Sequence, residues 1–148
     1  MTRTLIICTS VSHGNTRRVA EAMAEVLGAK VVEPDQVELA ELGDYDLIGF
    51  GSGIFNRRFH PDLLRFVSAL PGAHGSAFVF ATSGLPGVRF EPLLRALQDK
   101  GFKTAGTFSC RAFDTWAPFK PVGGIRKGRP DRSDLQAARQ FAEGLRGR

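Results

Sequence analysis

Apolar positions fall along this chain in two rhythms. Thr4 to Thr9, Leu47 to Gly51 and Ala77 to Ala81 are short, almost continuous apolar runs, the pattern of strands buried on both faces. Thr16 to Leu27 instead repeats Val19, Met23, Val26 and Leu27 at helical spacing, and Gly28 stands where a helix stop is expected. Lys30 to Glu33 predicts a short second strand and Lys103 to Ser109 a fifth. Pro61 to Leu70 and Phe90 to Lys100 predict helices, as does Arg132 to Leu145, with Leu135, Ala138, Phe141 and Ala142 on its apolar face. Between the second and third strands, Pro34 to Tyr45 leaves space for a short helix around Val37 to Leu42.

Five strands alternating with helices imply an α/β fold: a doubly wound, mostly parallel sheet covered on both faces, because parallel neighbours need crossover connections. A length of 148 residues with 43% hydrophobic content suits one domain over residues 1–148. No apolar run reaches the roughly 18 residues of a membrane span, so the expected address is cytoplasmic. Cys8 and Cys110 form neither a Cys-x-x-Cys pair nor a zinc set with the three histidines, and are expected as free thiols. The net charge of +5 arises late in the chain: residues 1–100 carry 10 basic and 11 acidic groups, residues 101–148 carry 10 and 4. Such a patch suits an acidic protein, a membrane surface or nucleic acid by steering, or is a solvated surface. Ala112 to Pro130, crowded with Gly, Pro and aromatic residues, is a long connection of the kind that is usually functional.

The strongest chemical signal is Thr9-Ser10-Val11-Ser12-His13-Gly14-Asn15-Thr16, between the first strand and first helix. A helix N-terminus offers unpaired N–H groups and a positive dipole end, Ser10, Ser12 and Thr16 add hydroxyls, and Gly14 admits close approach. That is a phosphate cradle; the plainer alternative is a helix cap by Asn15 or Ser12. The spacing matches neither a triphosphate loop nor a dinucleotide turn.

The hydroxyl-rich loop closing on Gly14-Asn15-Thr16, followed by a helix with Val19-Ala20, resembles the FMN-phosphate loop of flavodoxins, and the resemblance spans nearly the whole chain. It implies five parallel strands in the order 2-1-3-4-5, with FMN at the switch point. The phosphate would meet Ser10, Ser12, His13, Gly14, Asn15 and Thr16, in a loop one residue longer than the usual form. The flavin ring would meet Gly53, Ile54, Phe55 and Asn56 after the third strand, and Thr82, Ser83 and Gly84 after the fourth. Apolar cover would come from Phe55, Phe59, Phe113 or Trp116, with Trp116 the first choice. A reorienting peptide beside the ring, as in that family, would sit at Gly53 or Asn56. Of the histidines, His13 and His60 lie near these loops, and His74 lies in a turn at the opposite end of the sheet.

The chain departs from an acidic carrier. Arg57 and Arg58 follow the ring loop, and Lys120, Arg126, Lys127 and Arg129 occupy the late connection, which favours an acidic redox partner protein and raises the potential of the anionic reduced flavin. The expected function is FMN-based electron transfer, as a monomer or weak dimer. Two alternatives stand beside it: a small FMN-dependent oxidoreductase acting on a quinone or porphyrin-type substrate, and an FMN-free partner-binding module. No catalytic side chain or metal site is assigned. A thiol phosphatase fails for want of an arginine closing the loop after either cysteine, a response regulator fails because the third strand ends in Gly51, and nucleic acid lacks a docking helix.

Overall fold

In the computed structural model, residues 2–9, 14–55, 57–72, 75–84, 87–111 and 130–146 are described. Five strands form a parallel sheet: β1 (Thr4–Thr9), β2 (Lys30–Val32), β3 (Leu47–Phe55), β5 (Ser76–Ser83) and β6 (Lys103–Arg111). Their spatial order is β2-β1-β3-β5-β6. It is the expected 2-1-3-4-5 order with one insertion, the two-residue β4 (Arg58–Phe59), which pairs antiparallel with the end of β3. Helices α1 (Asn15–Leu27), α2 (Pro61–Ala69), α3 (Glu91–Lys100) and α4 (Arg132–Arg146) connect and cover the strands.

Alternation along the strands sorts side chains into two cores. Leu5, Ile7, Ile48, Phe50, Ala77 and Val79 face one layer with Leu63 and Val67 of α2 and Leu93 and Leu97 of α3. Ile6, Cys8, Phe78 and Phe80 face the other, with Val19 and Met23 of α1 and Ala138 and Ala142 of α4. Phe50, Phe78 and Phe80 are fully buried, each stabilising by about 2–3 kcal/mol. The rings of Phe78 and Phe80 lie over Gly49 and Gly51, where a Cβ would overlap them. Helix α1 closes on Gly28 at φ 64°, the left-handed stop its sequence announces. No helix among the described residues is long and apolar enough to cross a membrane.

Two expectations change. The short helix around Val37 to Leu42 is replaced by two 3-10 turns, Pro34–Gln36 and Leu39–Asp44, because Leu42 alone in them is buried and there is no apolar stripe for an α-helix to pack. The loop expected at Ser52 to Asn56 is strand as far as Phe55, since Ser52 and Gly53 continue the ladder with Ala81 and Thr82, and Ile54 and Phe55 then pair with Phe59 and Arg58.

Candidate functional site

The carboxyl ends of the strands bring polar side chains into an otherwise apolar structure. Seven polar or charged residues are buried among the described ones, and five of them, Thr9, Thr16, Ser52, Thr82 and Ser83, belong to this edge. The register places Thr9 beside Ser52 and Gly53 beside Thr82. Each buried hydroxyl needs a partner, or costs about 1–3 kcal/mol. Ser52 Oγ donates to the Gly53 carbonyl at 2.7 Å and accepts from the His60 N–H at 3.0 Å, which fixes where α2 begins. Thr16 Oγ1 and Thr82 Oγ1 share a hydrogen bond of 2.7 Å, tying the first turn of α1 to the end of β5. Arg111 Nη1 reaches the Gly84 carbonyl at 3.4 Å. Thr9 Oγ1 has no hydrogen-bond partner among the described residues.

Helix α1 starts at this edge from Gly14, at φ 65°, an N-cap residue that has no side chain with which to bond the first turn. Its first turn carries no acidic residue and continues into Arg17 and Arg18. The early N–H groups and the positive dipole end therefore meet no countercharge in that turn. A Cβ at Gly14 would touch nothing within 4 Å; glycine is required there by the backbone angle, and the space above it is open. These donors suit a phosphate monoester, and the Ser52–Gly53 and Thr82–Gly84 segments stand beside them at the ends of neighbouring strands.

Of the expected cofactor residues, Gly14, Asn15, Thr16, Gly53, Ile54, Phe55, Thr82, Ser83 and Gly84 come to one edge of the sheet. Ser10, Ser12, His13, Asn56 and Trp116 lie outside the described residues, as do Phe113 and His74. Phe59 is corrected from a loop aromatic to a buried one: it sits in β4 opposite Ile54, and its ring lies 6.1 Å from that of Phe90. His60 is a helix cap, its Nδ1 accepting from the Asp62 N–H at 3.0 Å, which puts the ring proton of the neutral form on Nε2. Gly53 is held in the β3–β5 ladder, and Arg57, between β3 and β4, adopts φ 65°. Reading the sequence missed the Thr16–Thr82 bridge and the buried Thr9 and Ser52; their signal is a small hydroxyl residue ending or interrupting an apolar run.

Cys8 lies inside this sheet, and burial, aided by Glu33 and Glu21 and opposed by Arg17, pushes its thiol up to about 12. A thiol held protonated is no nucleophile, which removes phosphatase chemistry at Cys8 on physical grounds as well as on spacing.

A family model described as a flavodoxin domain matches residues 6–83, more than half of the chain. An uncharacterised protein of Methanocaldococcus jannaschii is 35% identical over 146 residues, covering 97% of each chain. The crystal structure of oxidised Flavodoxin 1 from Bacillus cereus superposes with a TM-score of 0.73 at 21% identity over 97% of each chain. The rubredoxin oxygen:oxidoreductase of Desulfovibrio gigas contains a similar unit, TM-score 0.68 at 16% identity, with 96% of this chain covering 35% of that one. The two solved structures establish the fold, and the family model with the full-length relative establishes kinship: the chain belongs to the flavodoxin family.

Proposed function

We propose that residues 1–148 form one cytoplasmic flavodoxin-like domain that binds FMN at the carboxyl edge of β1, β3 and β5 and carries electrons between protein partners. The observation that carries this reading is the gathering of hydroxyls at that edge around a helix N-terminus that begins on Gly14 and carries no acidic residue in its first turn. In this reading the N–H groups of Gly14, Asn15 and Thr16, with Ser10, Ser12 and His13 of the preceding loop, hold the phosphate. Gly53, Ile54, Phe55 and Asn56 border the ring on one side and Thr82, Ser83 and Gly84 on the other, with Trp116 as cover. Bound FMN supplies the electron chemistry, and the chain supplies position and charge. The Thr16–Thr82 bridge keeps phosphate and ring subsites at a fixed separation. Arg57 and Arg58, both exposed, place positive charge at the hairpin beside the ring segment.

The test is a visible absorption spectrum of the purified protein before and after adding FMN and a reductant. A flavin spectrum that responds to the reductant, with slow turnover of free quinones, supports the carrier; saturable quinone or porphyrinogen turnover replaces it with an oxidoreductase. A colourless protein that ignores FMN overturns both and leaves the partner-binding module.

A further inference from the structure

Several arginines on the α1–α4 side of the sheet are held by carboxylates, although Arg18 and Arg132 there are exposed with no ion pair among the described residues. Arg17 pairs with Glu21 and Glu33, Arg139 with Glu25, and Arg146 with Glu143, all on α1 and α4 or beside them. On the opposite side of the sheet, near its carboxyl edge, Arg57, Arg58, Arg89 and Arg95 are exposed, and none has a carboxylate partner among the described residues. They belong together. Arg58 directly precedes Phe59 and Arg89 directly precedes Phe90, and these two rings pack 6.1 Å apart. Arg89 and Arg95 line an open groove with Val88, Phe90, Glu91 and Pro92. Among the described residues, the acidic groups on the elements that form this patch are Glu91, within the groove, Asp99, one turn beyond Arg95 on α3, and Asp62, which is engaged by Arg65. Helices α2 and α3 begin here, so their dipoles add positive potential to an unbalanced excess of guanidinium groups.

Arg57 adds a second kind of observation. It holds φ 65°, a region that favours glycine, at the turn between β3 and β4. A charged side chain is thus kept at the hairpin tip where a glycine would sit with less strain.

We propose that this arginine corner, formed by the β3–β4 hairpin and the start of α3, is the docking surface for an acidic protein partner. The proposal rests on the FMN reading only for what the contact accomplishes, since the corner adjoins the ring segment. Aliphatic and aromatic surface of Val88, Phe90 and Pro92 between the arginines gives a short contact area, and the charges supply steering and orientation. The partner therefore presents carboxylates around a small apolar centre, and the encounter weakens with salt.

The test has an arm that needs no cofactor. A glutamate decapeptide is titrated into the full-length apoprotein and followed by amide NMR. Shifts concentrated at residues 57–59 and 88–95, erased by raised salt, are expected. Shifts centred on Arg132–Arg146, or none, overturn the proposal, as does duplex DNA that moves the same amides at lower concentration. In the second arm, the FMN-loaded, reduced protein is mixed with an acidic two-iron ferredoxin. R57E/R58E is expected to slow the second-order rate roughly tenfold at low salt, whereas the double reversal R132E/R139E on α4, an equal change of net charge, leaves it unchanged. Equal slowing by both variants would mean that net charge, and not this corner, governs the encounter. Arg57→Gly separates structure from docking: peptide shifts shrink while thermal stability holds or rises. A failure of FMN to bind removes the second arm alone; the peptide arm still decides the surface.

Discussion

Cys8 pairs with Gly51 and Thr9 pairs with Ser52, two adjacent rungs of the β1–β3 ladder that answer to opposite demands. At the first rung everything is apolar and full: Cys8 is sealed beneath α1, and Gly51 is bare because the Phe80 ring takes the volume of its missing side chain. At the second rung both residues carry hydroxyls, one bonded to the start of α2 and one without a partner among the described residues. One step along the sheet, 3.3 Å or so, the protein passes from a region selected for density to one selected for donors and acceptors. Stability resides in the first, and the second gives some of it up.

Four experiments sharpen or break that contrast. The largest effect is expected at alkaline pH. The Cys8 thiol is raised in the fold from 9.0 to about 12, so the stability this provides is fully present below pH 9 and is lost as pH climbs toward 12, by roughly 4 kcal/mol at the end. Urea midpoints of the wild type and Cys8→Ala across that window should converge as the wild type loses its advantage; parallel curves would show that the thiol is not sealed. Next, Gly51→Ala should cost about 3 kcal/mol in the same assay, since Phe80 is fully enclosed and has nowhere to retreat. One residue further, Ser52→Ala should cost about 2 kcal/mol, the loss of the bond from the half-buried His60 N–H and of the bond to the Gly53 carbonyl, with FMN uptake as the more sensitive readout. The smallest change has the opposite sign: Thr9→Val should stabilise the apoprotein by up to about 1 kcal/mol, because it removes a buried hydroxyl without a partner among the described residues. A destabilised Thr9→Val would mean that the second rung is packed like the first.

The sheet was legible because buried parallel strands write themselves as unbroken apolar runs, and the order followed from the resemblance. The β4 hairpin was not legible. Its turn places Arg57 where glycine or asparagine usually signals a left-handed residue, and Arg58 opens a strand only two residues long. Phe59 read as a loop aromatic for the same reason, and is in fact half of a buried ring pair with Phe90. The hydroxyl donors of the loop after β1 could be read in sequence, but the bridge from Thr16 to Thr82 joins positions 66 residues apart, and no local pattern pairs the two. The glycines of β3 do carry a signal in hindsight: Gly49-Phe50-Gly51 faces Phe78-Val79-Phe80 across the ladder, small against large at each rung. Size complementarity between strands is invisible until their register is known.

The Thr16–Thr82 bond also orders events in time. On a ribosome, the first strand and first helix emerge early, yet the cradle at their junction lacks its brace until β5 has left the exit tunnel and docked beside β3. On the proposed FMN reading, capture of the cofactor during synthesis would therefore be a late event, and chains truncated before residue 82 would carry the loop sequence without the Thr16–Thr82 brace.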